Sequence, residues 1–170
     1  IASGGSLNIG NGKYLLLDSG ISKGVVTNSG LIWLNAVDSN TALLGANVKL
    51  TGTGMLVMSN DSHNILLSGT NYATLTNDAS HTIIGSGSIG SVGNATTFKN
   101  SGIVRANQST PLTLTANVIN DGMLEAFGGT LRLDQADVNN SGGIIRGTGG
   151  SVVELSSTWE SHKTKITGGT

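Results

Sequence analysis

One short motif recurs along this chain at a spacing of about 20 residues, and it constrains the fold more than any other feature. The motif is Asn, then Ser or Asp, then Gly, followed by a short apolar run, and its copies begin at Asn28, Asn100, Asn120 and Asn140. The last three of these asparagines are evenly spaced, and the last copy carries one extra glycine. Self-similarity at such a period is typical of solenoid proteins, whose repeats stack on one another.

A second short segment lies between consecutive copies of the motif. Residues 111–114, 130–133 and 152–155 each alternate apolar and polar side chains, which is the pattern of a β-strand. Strands this short are not stable alone, but repeats that stack bury one continuous apolar interior. We therefore predict an all-β fold, a right-handed parallel β-helix (β-solenoid) of about eight coils, with residues 1–170 as a single module.

The central region fits the repeat less closely, although it also contains short apolar segments. We predict strands there at residues 48–50, 55–58, 64–67, 73–76 and 81–84. Their registers relative to the neighbouring coils are estimates from the apolar pattern alone.

Composition excludes several classes of protein. Nine Lys and Arg residues against ten Asp and Glu give a net charge of −1, so neither nucleic acid nor an anionic membrane is an expected partner. The 26 glycines and the charged fraction of 11% do not suit amphipathic helices. The chain has no cysteine, and no apolar run approaches the roughly 20 residues that span a bilayer, so membrane insertion is not expected.

Equal motif positions should lie above one another in the stack. Asn100, Asn120 and Asn140 are then expected to form an inward ladder at a turn, each amide bonding to the next. The alternative is that Asn and Gly only supply the positive φ of a turn.

Charged side chains give a second test of the same register. The stack places Arg105, Glu125 and Arg146 in one outward column, and Arg132 opposite Glu154 in another. Both columns alternate in sign, and opposite charges at neighbouring-strand distance stabilise a sheet by about 0.2 to 1 kcal/mol each.

The two ends of the sequence are similar to each other, since residues 1–6 (IASGGS) resemble residues 166–170 (ITGGT). This predicts either one unit of a tandem array or a subunit that stacks end to end, because uncapped solenoid ends expose unpaired strands. The residues expected at the stacking ends are Ile1, Leu7, Ile166 and Thr170.

Three segments carry a resemblance to a known class of protein: residues 84–90 (IGSGSIG), 103–109 (IVRANQS) and the run 138–170. They resemble the long repeat units of giant bacterial extracellular β-solenoid proteins, of the filamentous-haemagglutinin and autotransporter-adhesin type. The resemblance covers roughly residues 21–170. It implies a structural role in a fibre or adhesin that is secreted or on the bacterial cell surface, with a surface glycan or host receptor as an alternative partner to a second copy.

Parallel β-helices also include polysaccharide lyases and hydrolases, so an enzyme is a rival interpretation. The nearest acidic residues in sequence are Asp134 and Asp137, with Asp121 and Glu125 one coil earlier, and no cluster supplies both an acid and a base. We therefore predict no catalytic residues and no enzymatic activity.

Metal and ice binding are the remaining alternatives. His63, His81 and His162 have no close mutual spacing, and the calcium-binding nonapeptide of roll-type repeats is absent, so no metal or other cofactor is expected. An ice-binding surface requires Thr-x-Thr on consecutive coils. The motif occurs at 51–53, 74–76 and 113–115, which is not a regular array.

Overall fold

A computed structural model describes residues 1–17, 24–45, 47–67, 72–90, 96–134, 137–156 and 165–167. These residues form β-strands joined by turns, and all pairing between the strands is parallel. The described part of the chain has no helix long and apolar enough to cross a membrane.

The strands are short and follow one another at regular intervals. In chain order they are β1 (Ser6–Gly10), β2 (Tyr14–Leu17), β3 (Gly24–Thr27), β4 (Leu31–Asn35), β5 (Thr41–Gly45), β6 (Val48–Thr51), β7 (Met55–Met58), β8 (Asn64–Leu67), β9 (Thr74–Asn77), β10 (Thr82–Gly85), β11 (Gly87–Ile89), β12 (Thr97–Asn100), β13 (Ile103–Ala106), β14 (Leu112–Leu114), β15 (Asn117–Asn120), β16 (Met123–Phe127), β17 (Thr130–Asp134), β18 (Asp137–Asn139), β19 (Ile144–Thr148), β20 (Val152–Ser156) and β21 (Lys165–Thr167).

Every third strand belongs to the same sheet, so the chain winds as a β-solenoid. Sheet A contains β1, β4, β7, β10, β13, β16 and β19, sheet B contains β2, β5, β8, β11, β14, β17 and β20, and sheet C contains the remaining seven strands. We call each consecutive set of three strands a level, numbered 1 to 7 from β1. The predicted all-β parallel solenoid is therefore confirmed, and its right-handed sense stays a prediction.

The length of a coil is not constant along the solenoid. The pairing of sheet A aligns one residue at the start of each strand, and in chain order these are Ser6, Leu31, Met55, Thr82, Ile103, Met123 and Ile144. The first three intervals are longer than the last three, and the coil from Met55 to Thr82 is the longest. These longer coils explain why the described strands form seven levels rather than the eight or so that the sequence predicted.

The predicted central segments are all strands, with small shifts at their ends. The segment predicted at 73–76 is strand Thr74–Asn77, and the one predicted at 81–84 is strand Thr82–Gly85. Each begins one residue later than the apolar pattern suggested, because Ala73 and His81 end the preceding turns.

Apolar side chains of the three sheets point into one shared interior. A column in sheet B shows the arrangement: Leu43, Leu66, Ile89, Leu114 and Leu133 lie above one another in the pairing register, and each is at most 2% exposed. Each level covers the apolar side chains of the level before it, so the interior has the continuous burial that stabilises a solenoid.

Candidate functional site

The predicted asparagine ladder is present and buried at the corner between sheets C and A. The Nδ2 of Asn100 donates to Oδ1 of Asn120 at 2.8 Å, and the Nδ2 of Asn120 donates to Oδ1 of Asn140 at 2.6 Å. Asn77, which the sequence did not predict, donates to Asn100 at 2.8 Å. The amides also donate to backbone carbonyls of the turns, so they are hydrogen-bonded in two directions.

The ladder does not extend through the first motif copy in the same register. Strand pairing places Asn77 opposite Leu50, and Leu50 opposite Val26, so Asn28 lies two residues beyond the amide column. The side chain of His81 joins the two parts. Its Nδ1 lies 2.8 Å from Oδ1 of Asn77, and its Nε2 lies 3.1 Å from Nδ2 of Asn28.

His81 is the exception to a rule of the fold. It is the residue immediately before a sheet A strand, and at the six other levels the residue in that place is Gly5, Gly30, Gly54, Gly102, Gly122 or Gly143. The turn that holds His81 has four residues, 78–81, whereas the turns at 101–102 and 121–122 have two. A repeat alignment that marked this glycine column would have singled out His81 from the sequence.

Burial has a direct effect on the His81 imidazole. The residue is 0% exposed, and this burial lowers the pKa of the ring to about 4, against a smaller opposing effect of Asp78. The Oδ1 of Asn77 can only accept a hydrogen bond, so the neutral ring carries its proton on Nδ1 and accepts from Asn28 at Nε2.

The predicted outward column of alternating charges is also formed. Glu125 lies between Arg105 and Arg146, with Oε2 2.6 Å from Nε of Arg105 and Oε1 2.8 Å from an Nη of Arg146. The arginines cover the carboxylate, so Glu125 is only 1% exposed although it lies on the outer side of sheet A. Burial alone would raise the pKa of Glu125, but its hydrogen bonds and charge interactions with the two arginines outweigh this effect and lower it.

The second predicted charge pair lies on sheet B and is more exposed. Nε of Arg132 is 3.0 Å from Oε2 of Glu154, and the two side chains are 36% and 40% exposed. The sequence did not predict a further pair on sheet C, between Lys49 and Asp78 at 3.0 Å.

The acidic residues considered as candidates for an enzyme lie on different structural elements. Glu125 is on sheet A, Asp134 ends strand β17 of sheet B, and Asp137 begins strand β18 of sheet C, while Asp121 lies in a turn. Within the described residues, no group of three His, Asp or Glu side chains is placed to hold a metal ion. His63 pairs with Asp61 at 2.7 Å, and His162 lies outside the described residues.

The three Thr-x-Thr motifs do not form a stacked array. Thr51 is paired with Thr27, whereas Thr76 is paired with Lys49, so the first two motifs are out of register on sheet C. The third motif begins at Thr113 on sheet B.

The residues predicted at the stacking ends are only partly described. Ile1 and Leu7 are half-buried against the apolar interior at level 1. Ile166 is opposite Val138 in the last pair of sheet C strands, and Thr170 lies outside the described residues.

Within the described residues, apolar columns of the interior are less buried at the two end levels than in the middle. In sheet B, Leu133 is fully buried, while Leu155, its partner at level 7, is 57% exposed. At level 1 the same column ends in Leu15, which is half-buried, above the buried Leu43. Strands β1 and β20 are the outermost described strands at these ends of sheets A and B.

The outer side of sheet A carries an exposed aromatic residue among polar ones. Trp33 is 38% exposed and lines a shallow groove of about 350 Å³ together with Ser6, Asn8 and Asn35. A second exposed ring, Phe127, is partly covered by the guanidinium of Arg105, which lies 5.1 Å from the ring centre.

No protein-family model matches this sequence, and comparison with curated proteins and with solved structures gives no significant match. A proposal for its function therefore depends on the solenoid, its ladders and its exposed surfaces.

Proposed function

We propose that this chain is a nonenzymatic structural module of a bacterial extracellular or surface fibre or adhesin, in which coils stack end to end into a rigid rod. The observation that carries the proposal is the sheet B column from Leu15 to Leu155, which is continuous through the interior and, within the described residues, less buried at both of its ends. A further level stacked on Leu155 would bury it as Leu133 is buried.

The strand directions support the same arrangement. All described strands within a sheet are parallel, so β20, the last described strand of sheet B, and β2, the first, would pair in parallel in a head-to-tail stack. Such a contact has the same direction at every joint and extends into a filament rather than closing into a pair. The bacterial extracellular setting is supported by the resemblance to giant surface β-solenoids, and it is part of the proposal.

A matched pair of variants tests the stacking of the chain. Leu155→Arg places a charge at the exposed end of the apolar column, whereas Val37→Arg places the same charge on a 67% exposed residue outside the apolar columns. Sedimentation and negative-stain electron microscopy should show rods that lengthen with concentration for the wild type and for Val37→Arg, and single modules for Leu155→Arg. A wild type that stays monomeric at high concentration would contradict end-to-end stacking.

A second candidate function is glycan binding by the outer face of sheet A. The groove at Trp33 supports it, because an exposed indole beside amide side chains offers one face for stacking and hydrogen-bonding groups around it. A glycan array with wild type and Trp33→Ala tests this role, with Phe127→Ala as the control for loss of an exposed ring. Binding that is lost only in Trp33→Ala supports the adhesin alternative, and absence of binding by the wild type overturns it.

A further inference from the structure

The hydrogen bonds at the corner between sheets C and A form one directed chain. Asn28 donates to His81, His81 donates to Asn77, and the donation continues in the same direction to Asn100, Asn120 and Asn140. His81 is the only one of these hydrogen-bonded side chains that can change its charge. It is also the connection between the first coil and the amide column.

Protonation of His81 is incompatible with this series of hydrogen bonds. The cationic ring has a hydrogen on both nitrogens, so Nε2 would point a donor at the Nδ2 of Asn28, which is itself a donor at 3.1 Å. Turning the Asn28 amide to present Oδ1 to the ring would place its Nδ2, a donor, against the backbone N–H of Gly30, which now donates to Oδ1 at 3.1 Å. A buried cation would be left with an unsatisfied donor.

The surroundings of His81 provide little compensation for a positive charge. Asp78 is the nearby acidic group, but its carboxylate is paired with Lys49 at 3.0 Å. The backbone nitrogen of Ile1, which donates to the carbonyl of Thr27 at 2.6 Å, brings no negative charge to this corner. The adjoining turn residues 28–31, 52–55 and 100–103 contribute no charged side chain.

We propose that His81 is an acid-sensitive connection in the solenoid, whose protonation breaks the hydrogen-bond chain between Asn28 and Asn77 and loosens the first levels of the stack. The amide column from Asn77 to Asn140 has no titrating member and stays intact in the same pH range. The inference is independent of end-to-end stacking, because it concerns contacts within one module.

The sign of the pH effect follows from where the proton binds. The unfolded chain takes up a proton on His81 near pH 6.5, while the folded ring does so only near pH 4, so stability is full above pH 6.5 and falls as the pH drops from 6.5 to 4. Between pH 7.5 and 4.5 the unfolding equilibrium constant should rise by about 70-fold from this group alone. The carboxyl groups with lowered pKa, namely Asp38, Asp61, Asp78 and Glu125, act mainly below this window.

The test compares denaturant unfolding of three proteins between pH 7.5 and 4.5. His81→Gln replaces the imidazole by an amide, which can also donate and accept hydrogen bonds but does not titrate, so it should lose most of the wild-type change of stability with pH. His63→Gln removes an imidazole that does not belong to this set of hydrogen bonds, so the change of stability with pH should stay as in the wild type. Equal changes of stability with pH for wild type and His81→Gln would overturn the proposal.

Two measurements on the wild type keep the test independent of how well the variant folds. NMR of the imidazoles should show an Nδ1–H tautomer for His81 and a titration midpoint near pH 4. Hydrogen exchange at pH 5 should be faster than at pH 7, after correction for intrinsic rates, at the amides of Gly54 and Thr82, with less change at Asp121. A midpoint near 6.5 in the folded protein, or equal changes at all three amides, would contradict an acid-sensitive connection.

Discussion

The side-chain amide of Asn100 donates a hydrogen bond to Oδ1 of Asn120 at 2.8 Å, and both side chains are 0% exposed. The two residues are 20 positions apart in sequence and directly opposite in adjacent strands of sheet C. Their amides therefore form hydrogen bonds along the axis of the solenoid as well as within each turn. Loss of one amide in this arrangement affects the asparagine side chains of both neighbouring levels.

Asn120→Ala should destabilise the protein by about 2 to 4 kcal/mol. It removes the shortest acceptor of the Asn100 Nδ2, which then has only backbone carbonyls as partners, and it removes the Asn120 donor of the Asn140 Oδ1; both groups are buried. Denaturant unfolding measures the change. Asn117→Ala on the same strand is the control, because that side chain is exposed, and its effect should stay within about 0.5 kcal/mol. Equal effects of the two substitutions would argue that the ladder adds nothing to stability.

The ladder also shows which contacts the sequence could predict. Asn100, Asn120 and Asn140 were predicted because the coils that carry them have nearly constant length. Residues at equal spacing in the sequence therefore lie opposite one another in successive strands. Asn77 and His81 were not predicted, because the third coil is the longest and its last turn, 78–81, is longer than the next two corresponding turns, 101–102 and 121–122. Insertions of this kind break the period at the residue level while the strands still pair.

In the charge column, too, one feature could be predicted from the sequence and another could not. Sign alternation predicted that Arg105, Glu125 and Arg146 would be neighbours, and strand pairing places them so. The near-complete burial of Glu125 was not predictable, because it depends on the two arginine side chains folding over the carboxylate. The alternation of side chains along a strand assigns a residue to the outer face of a sheet, but it does not determine how exposed that residue is.

Glu125→Gln should destabilise the protein by about 1 to 2 kcal/mol at pH 7. Its carboxylate accepts charge-assisted hydrogen bonds from two arginines, although solvent partly screens those arginines. Glu154→Gln, which removes a half-exposed carboxylate with one arginine partner, should cost no more than about 0.5 kcal/mol. Unfolding at pH 7 in low and moderate salt measures both effects.

The same carboxylate predicts a dependence on acid. The pKa of Glu125 is lowered by folding, so its contribution is present above the unfolded value of about 4.5 and is lost as the pH falls below it. The difference in stability between wild type and Glu125→Gln should therefore shrink between pH 5 and pH 3. A difference that is constant over this range would show that the charge of Glu125 is not its source.

Gly122→Ala should be one of the more damaging small substitutions, at about 2 to 4 kcal/mol. A Cβ at this position would overlap the carbonyl oxygen of Gly102 in the turn of the preceding level, and backbone atoms must move to accommodate it. Gly10→Ala is the matched control, because a Cβ there has nothing within 4 Å, and it should change stability little. Thermal unfolding of both variants compares them directly, and a tolerated Gly122→Ala would mean that adjacent turns are not in close contact.

Leu114→Asp tests the interior on which the whole stack depends. Leu114 lies between Ile89 and Leu133 in the sheet B column and is 0% exposed, so the substitution buries a carboxylate with no partner. We expect a larger loss than for Leu114→Ala, which leaves only a cavity and should cost about 2 to 4 kcal/mol.

Thr113→Asp provides the control for Leu114→Asp, because Thr113 is the next residue of the same strand and points outward opposite Arg132. This control should be neutral or slightly stabilising, since the new carboxylate lies at neighbouring-strand distance from a guanidinium. Thermal and denaturant unfolding at pH 7 measure all three variants. Unchanged stability of Leu114→Asp would mean that this column is not the interior of the solenoid, and the rod proposed from it would have no structural basis.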